Sequence, residues 1–189
     1  EGSRLALAPV RFSGGAGGMM RFATVAELTG PLAGGRVERL RVPIDGVLAP
    51  TGALALSGGC TRLAADRIDV SGFRLAGPAV DLCSRAGQPL FAAGPDGLRG
   101  QIRMPRLALR GTSGTSPFSL ASGAGEFDLT TMRWSLAGAD VRLGEGEGVT
   151  RFSAERITGA STPKGLAGDL VGAAGKIGVG HQVVGERGS

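Results

Sequence analysis

Three residues stand out for chemistry in this chain of 189 residues: Cys60, Cys83 and the single histidine, His181. They do not form a metal site by spacing. Zinc sites draw four ligands from short, paired spacings, and a lone histidine far from two separated cysteines supplies no such set. The cysteines are not in a CxxC arrangement either, so a redox catalyst is not expected. Both follow or end strand-like segments, so the two could lie side by side across a turn. A disulfide there would stabilise the fold by about 3 kcal/mol in the chain-entropy model, and it would imply an oxidising compartment. The competing reading is a pair of buried free thiols.

The remaining polar residues offer no constellation. Asp66, Asp69 and Asp81 follow no convergent pattern. Glu145 and Glu147 lie in GEGEG, which reads as a solvated turn because the alternating ligands of a calcium loop are missing. Gly111 to Ser116 (GTSGTS) is followed by Pro117 and Phe118 instead of a helix, and no Walker lysine is present, so it reads as a loop. His181 sits in a glycine-rich tail. With no convergent acid–base pair, the expectation is a non-enzymatic protein with no catalytic residue, no cofactor and no metal.

The elements around these residues are strands. Ile68 and Val70 alternate with Arg67, Asp69 and Ser71, and Phe73 and Leu75 alternate with Arg74 and Ala76. That is the period of a half-buried strand. The same period recurs in Leu5–Leu7, Leu40–Val42–Ile44, Leu54–Leu56, Ile102–Met104, Leu107–Leu109, Phe118–Leu120, Phe127–Leu129, Met132–Trp134–Leu136, Val141–Leu143 and Phe152–Ile157. Pro9 breaks the first segment, since proline cannot donate to a ladder. Met20, Phe22 and Thr24 suggest a strand, with a helical turn beginning over Val25–Leu28. The segment after Gly165 is weakly patterned, and both a short strand over Leu166–Leu170 and a loose helix fit it. Glycine, 35 of 189 residues, falls mostly between the apolar segments as turn punctuation. The recurring phrase is two apolar alternations joined by small residues, as in IRMPRLALRG and MRWSLAGADVRLG. These features predict an all-β fold: an elongated, twisted antiparallel sheet of stacked repeats forming an open groove. A closed β-solenoid or a sandwich is the alternative.

Composition removes several classes. The formal net charge is +5, and 19 of the 21 basic residues are arginine, the exceptions being Lys164 and Lys176. The arginines are spread along the chain and interleaved with acids, whereas nucleic-acid proteins cluster them with stacking aromatics, so no nucleic acid is expected. No apolar run is long enough for a transmembrane helix. A membrane barrel is disfavoured by the short strands and the absence of tyrosine for aromatic girdles. No leader or boundary signal marks either end, and the expectation is a single repetitive segment, 1–189, of a longer chain.

The feature with functional content is the one-sided apolar surface. Its expected lining is Leu40, Val42, Ile44, Leu54, Leu56, Ile68, Val70, Phe73, Leu75, Ile102, Met104, Leu107, Leu109, Met132, Trp134 and Leu136. Such a surface either closes on itself as an ordinary core or forms the floor of a groove for acyl chains, with headgroups near rim arginines such as Arg39, Arg67 or Arg103.

The Cys60 and Cys83 pair, the following SRAGQPLF (Ser84 to Phe91) and the tail phrase GLAGDLVGAAGKIG (Gly165 to Gly178) together resemble the YdbH family of AsmA-like proteins of Gram-negative bacteria. The likeness spans about residues 50–180 and rests on pattern. It implies a periplasmic protein anchored to the inner membrane and built of repeating β-groove units. Its trough would carry phospholipids between inner and outer membranes, with membrane proteins of the envelope as possible partners. The chain departs from the family in having no transmembrane anchor and in being shorter than a full bridge.

Overall fold

The computed structural model describes residues 2–32, 34–56, 58–95, 97–162, 165–178 and 181–184. The chain is all-β, and its twenty strands belong to one sheet. They fall into eleven consecutive runs. The first holds β1 (Arg4–Leu7) and β2 (Arg11–Gly14), the second β3 (Met20–Leu32), the third β4 (Gly35–Leu48). The fourth comprises β5 (Leu54–Leu56), β6 (Cys60–Ala64) and β7 (Arg67–Val70), and the fifth β8 (Phe73–Ala76), β9 (Ala79–Ser84) and β10 (Ala92–Gly94). The sixth comprises β11 (Gly97–Arg99), β12 (Gln101–Met104) and β13 (Leu107–Ser113), and the seventh β14 (Ser116–Ser122) and β15 (Ala124–Asp128). Then come β16 (Arg133–Leu143), β17 (Thr150–Thr162), the pair β18 (Gly165–Val171) with β19 (Ala174–Ile177), and β20 (His181–Val184).

Each run pairs antiparallel with the run before it and the run after it, as in Thr24↔Ile44, Val37↔Ile68, Ile68↔Leu75, Leu109↔Leu120 and Leu136↔Ile157. The result is one up-and-down meander. Among the described residues the first run pairs only with β3 and β20 only with β19, so the sheet is open and is not a barrel. Purely antiparallel pairing also excludes the solenoid alternative, whose coils stack strands in parallel.

Local chemistry sets the connections. Ser71 and Gly72 both have positive φ, 49° and 85°, the conformation of a type I′ turn, whose twist matches its strands. GTSGTS is a hairpin: β13 runs to Ser113, Gly114 turns at φ 60°, and β14 starts at Ser116. Two expectations change, and the open choice for the tail falls to strand. Val25–Leu28 starts no helix, because Thr24, Ala26 and Leu28 carry the alternation on through a continuous β3. The weakly patterned tail is two strands, β18 and β19, held by β17. Met132 is not a strand residue: it sits at φ 54° in the turn before β16 and is exposed. The side chains of His181 and Glu147 lie outside the described residues.

A line of irregularities crosses the sheet. In β4 both Glu38 and Arg39 stand opposite Thr29, and the Arg39 amide donates to Thr29 Oγ1 at 3.0 Å. The ladder is interrupted at the same level in the runs that follow: at Ala65–Asp66, Gly77–Pro78, Pro105–Arg106, Gly123, Gly138 and Gly172. Backbone bonds tie successive interruptions together, Asp66 N to Glu38 O at 3.0 Å, Gly77 N to Asp66 O at 2.8 Å and Gly123 N to Ala137 O at 2.9 Å. In each of these runs the apolar parity switches here. Leu107 and Leu109 follow Ile102 and Met104, and Val141 and Leu143 follow Trp134 and Leu136. A residue added to an alternating strand would otherwise turn its apolar set to the opposite face. With parity and bulge switching together, the apolar face stays on one side while the strands bend.

Among the described residues no element packs over that face. The surface area of the chain is 12562 Å², against about 8,400 Å² expected for a compact monomer of this mass. Among the described residues Val37 alone of the large side chains is fully buried. A sandwich would bury far more, because both inner faces would leave water.

Candidate functional site

Cross-strand register assembles the apolar face. Ile102 stands opposite Phe127, and Phe127 opposite Trp134. On the same side Leu136 pairs Ile157, and Ile157 pairs Leu170. Beyond the bend, Leu109, Leu120, Val141 and Phe152 form another line. Phe73 and Phe118 reach towards each other across β13, with ring centroids 4.7 Å apart and tilted by 55°. The structure brings fifteen of the sixteen expected lining residues onto this one side: Leu40, Val42, Ile44, Leu54, Leu56, Ile68, Val70, Phe73, Leu75, Ile102, Met104, Leu107, Leu109, Trp134 and Leu136. Met132 is the one left out.

The face also holds Phe22, Leu28, Val37, Phe118, Phe127 and Phe152, which sequence reasoning recognised at most as strand residues. The signal for them was the same alternation. It was obscured because parity changes at the bend, so each run looks like two short, unrelated segments.

Glycines within strands have a packing role. A Cβ on Gly46 would lie 3.0 Å from Phe22 and 3.1 Å from Leu56. A Cβ on Gly125 would lie 2.6 Å from Met104 and 3.0 Å from Leu136. On Gly159 it would meet the Trp134 indole at 2.5 Å. Large side chains thus settle over glycines of the neighbouring strand, which keeps the floor of the face low and close to the backbone. Dispersion contacts are gained where a side chain would otherwise stand free in water.

The opposite face is polar. Arg41 pairs Glu27 at 3.3 Å, Arg62 pairs Asp81 at 3.4 Å, and Arg74 pairs Asp69 at 3.1 Å. Arg39 pairs Asp66, Arg67 pairs both Glu38 and Asp69, and Arg103 lies 3.9 Å from Glu126. The three arginines expected to receive headgroups therefore already face carboxylates. All of these pairs are substantially exposed, where each contributes at most about 1 kcal/mol. A hollow of about 760 Å³ on this side is lined by Arg103, Glu126, Asp128, Arg133, Thr158 and Asp169, among others. Thr131 N and Thr130 N both donate to Asp128 Oδ1 at 2.9 Å, and Gln101 Nε2 donates to Oδ2 at 3.2 Å. The Thr131 bond is the main cause holding the Asp128 carboxyl below its ordinary value. Among the described residues no group of His, Cys, Asp and Glu could hold a metal ion, and no helix is long and apolar enough to cross a membrane.

The disulfide forms. Cys60 and Cys83 are directly paired on β6 and β9, with Cα atoms 4.0 Å apart. Their side chains stand on the polar side, in line with Arg103 and Glu126. The next rung is closed by Gly59 N to Ser84 Oγ and Ser84 N to Gly59 O, both 2.8 Å. The bridge thus fixes the open end of the long hairpin whose closed end carries Val70 and Phe73.

No protein-family model matches the chain, and no curated protein or solved structure is significantly similar to it.

Proposed function

We propose that the chain is a non-enzymatic lipid-transfer module that holds phospholipid acyl chains on its apolar face. The observation that supports this reading is the continuity of that face from run to run together with its exposure: at its two ends Leu5, Phe12 and Leu170 are 66%, 74% and 56% exposed. Methylene groups leaving water for such a floor gain about 0.8 kcal/mol each. Adjacent runs are about 4.8 Å apart, and the acyl layer of one leaflet is about 15 Å thick. One lipid would span about three runs. Because successive runs offer the same kind of surface, a step of one run costs little, and lipid could move along the sheet without a deep trap. In this reading the chain serves the periplasm of a Gram-negative envelope as an AsmA-like element. Phospholipids would travel between inner and outer membranes, inner- and outer-membrane envelope proteins would be its neighbours, and any anchor would lie outside these residues.

Photo-crosslinking side chains at Val70 and Leu107 test the reading, with Ala108, on the polar side next to Leu107, as the control. Capture of phospholipid from Val70 and Leu107 and not from Ala108 is the expected result. Val70→Asp and Leu107→Asp should abolish capture while leaving the β circular dichroism intact. A folded protein that captures no lipid at either position would remove the proposal.

A further inference from the structure

The ion pairing of the polar face stops at one place. A single cross-strand line runs Glu38, Arg67 and Ala76, then, one rung beyond the Leu75↔Gly111 pair, Arg110, and on through Ser119, Arg142, Arg151 and Lys176. At its start Arg67 has Glu38. From Arg110 onward the line holds four cations and no acid. Arg142 and Arg151 are direct cross-strand partners, as are Arg151 and Lys176. Like charges directly opposed destabilise a sheet. Arg142 is relieved by Asp140 at 2.8 Å. Among the described residues Arg110 and Arg151 have no carboxylate partner. The same residues line a cleft of about 430 Å³, closed on one side by the glycine turn after β16 and including Ser119 and Glu145.

We infer that Arg110, Arg142 and Arg151 form an oxyanion site that takes a phosphate group. Arg110 and Arg142 flank Ser119 at two strand spacings, about 10 Å. That gap suits one phosphate group between the two guanidinium groups, with the Ser119 hydroxyl beneath it. Arginine forks bind phosphate oxygens through paired N–H donors, and an anion there would offset the repulsion that the line carries. Glu145 is the opposing charge at the cleft mouth. The cleft lies next to the hairpin end of β16 and β17, and Phe118 of the apolar face also borders it. A phosphate carried by a lipid could thus be held at the rim while its chains lie on the other face. That extension rests on the lipid-transfer reading, whereas the oxyanion site does not.

Calorimetric titration of the oxidised, full chain with inorganic phosphate and with glycerol phosphate at low salt tests the site alone. Saturable binding is expected. Arg110→Gln combined with Arg151→Gln should weaken it by about tenfold or more, Glu145→Gln should strengthen it, and Arg39→Gln should leave it unchanged. Wild-type affinity equal to that of the double variant, or an equal loss in Arg39→Gln, overturns the site. A second arm compares glycerol phosphate with detergent micelles containing phosphatidate. Tighter binding of the micelles identifies a lipid headgroup as the source, and equal binding identifies free phosphate. Loss of lipid capture at Val70 and Leu107 with phosphate binding retained would sink the lipid reading and leave the oxyanion site standing.

Discussion

The indole of Trp134 lies over the α-carbon of Gly159 on the neighbouring strand, so close that a Cβ there would approach ring atoms to 2.5, 2.6 and 2.9 Å. The tryptophan is the only one in the chain and stands on the apolar face, which makes it a reporter of that face. Gly159→Ala should push the ring outward into solvent. The expected result is a red-shifted tryptophan emission and a loss of about 1–3 kcal/mol of stability, the usual cost of overpacking. Unchanged emission would mean that the ring does not rest on Gly159.

Ser122 should matter to the bend. It is buried, at 3% exposure, and its Oγ lies 2.9 Å from Ala137 O and 3.0 Å from Ala124 O, so its single proton serves two carbonyls. Ser122→Ala leaves these groups without it. A loss of about 1 kcal/mol is expected, read as a fall of about 2–4 °C in Tm. Hydrogen exchange of the Gly123 amide, which bonds to the same Ala137 carbonyl, should quicken.

The disulfide should act as a staple and not as a folding requirement. Cys60 and Cys83 are one rung of a ladder that continues through Thr61↔Leu82 to Ala64↔Ala79. Reduction, or Cys60→Ser with Cys83→Ser, should lower stability by about 3 kcal/mol, or roughly 6–12 °C in Tm, with the β circular dichroism preserved at 25 °C. Complete loss of β signal on reduction would contradict this.

Asp128 gives a pH dependence of known sign. Its carboxyl is held below the ordinary value of 3.8 mainly by the Thr131 amide. A depressed folded value means that the carboxylate contributes stability above the unfolded value, and that the contribution fades as pH falls through the folded one. Asp128→Asn should therefore lower Tm at neutral pH, and the gap between variant and wild type should narrow below about pH 4. A gap that stays constant down to pH 2 would show that charge at this position is irrelevant.

Much of this architecture was legible in short alternations. Leu40–Val42–Ile44 and Ile102–Met104 specified strands with one apolar side because period 2 admits little else. The pairing of Cys60 with Cys83 followed from segments that could lie alongside each other. Met104 and Leu107 were expected on one face, but alternation did not reveal how residues of opposite parity share it: Pro105 and Arg106 shift the count, and the neighbouring runs show that the break is shared. Met132 was misplaced for a different reason. Its parity matches Trp134 and Leu136, but Asp128 caps the turn that precedes it, and φ at 132 is positive. The oxyanion cleft was invisible in sequence because Arg110, Arg142 and Arg151 meet only through the register of β13, β14, β16 and β17.

The shared level of the ladder interruptions sets what kinds of length change this protein can absorb. Removal of one residue near Gly123 would exchange the two sides of everything beyond it in that run, sending Phe127 to the water-facing surface and Glu126 to the greasy one. Removal of a whole hairpin would do neither, since the runs on either side present matching profiles and could join directly. Growth and loss in such a chain are thus quantised in pairs of runs, and the cross-section stays constant while only the reach changes.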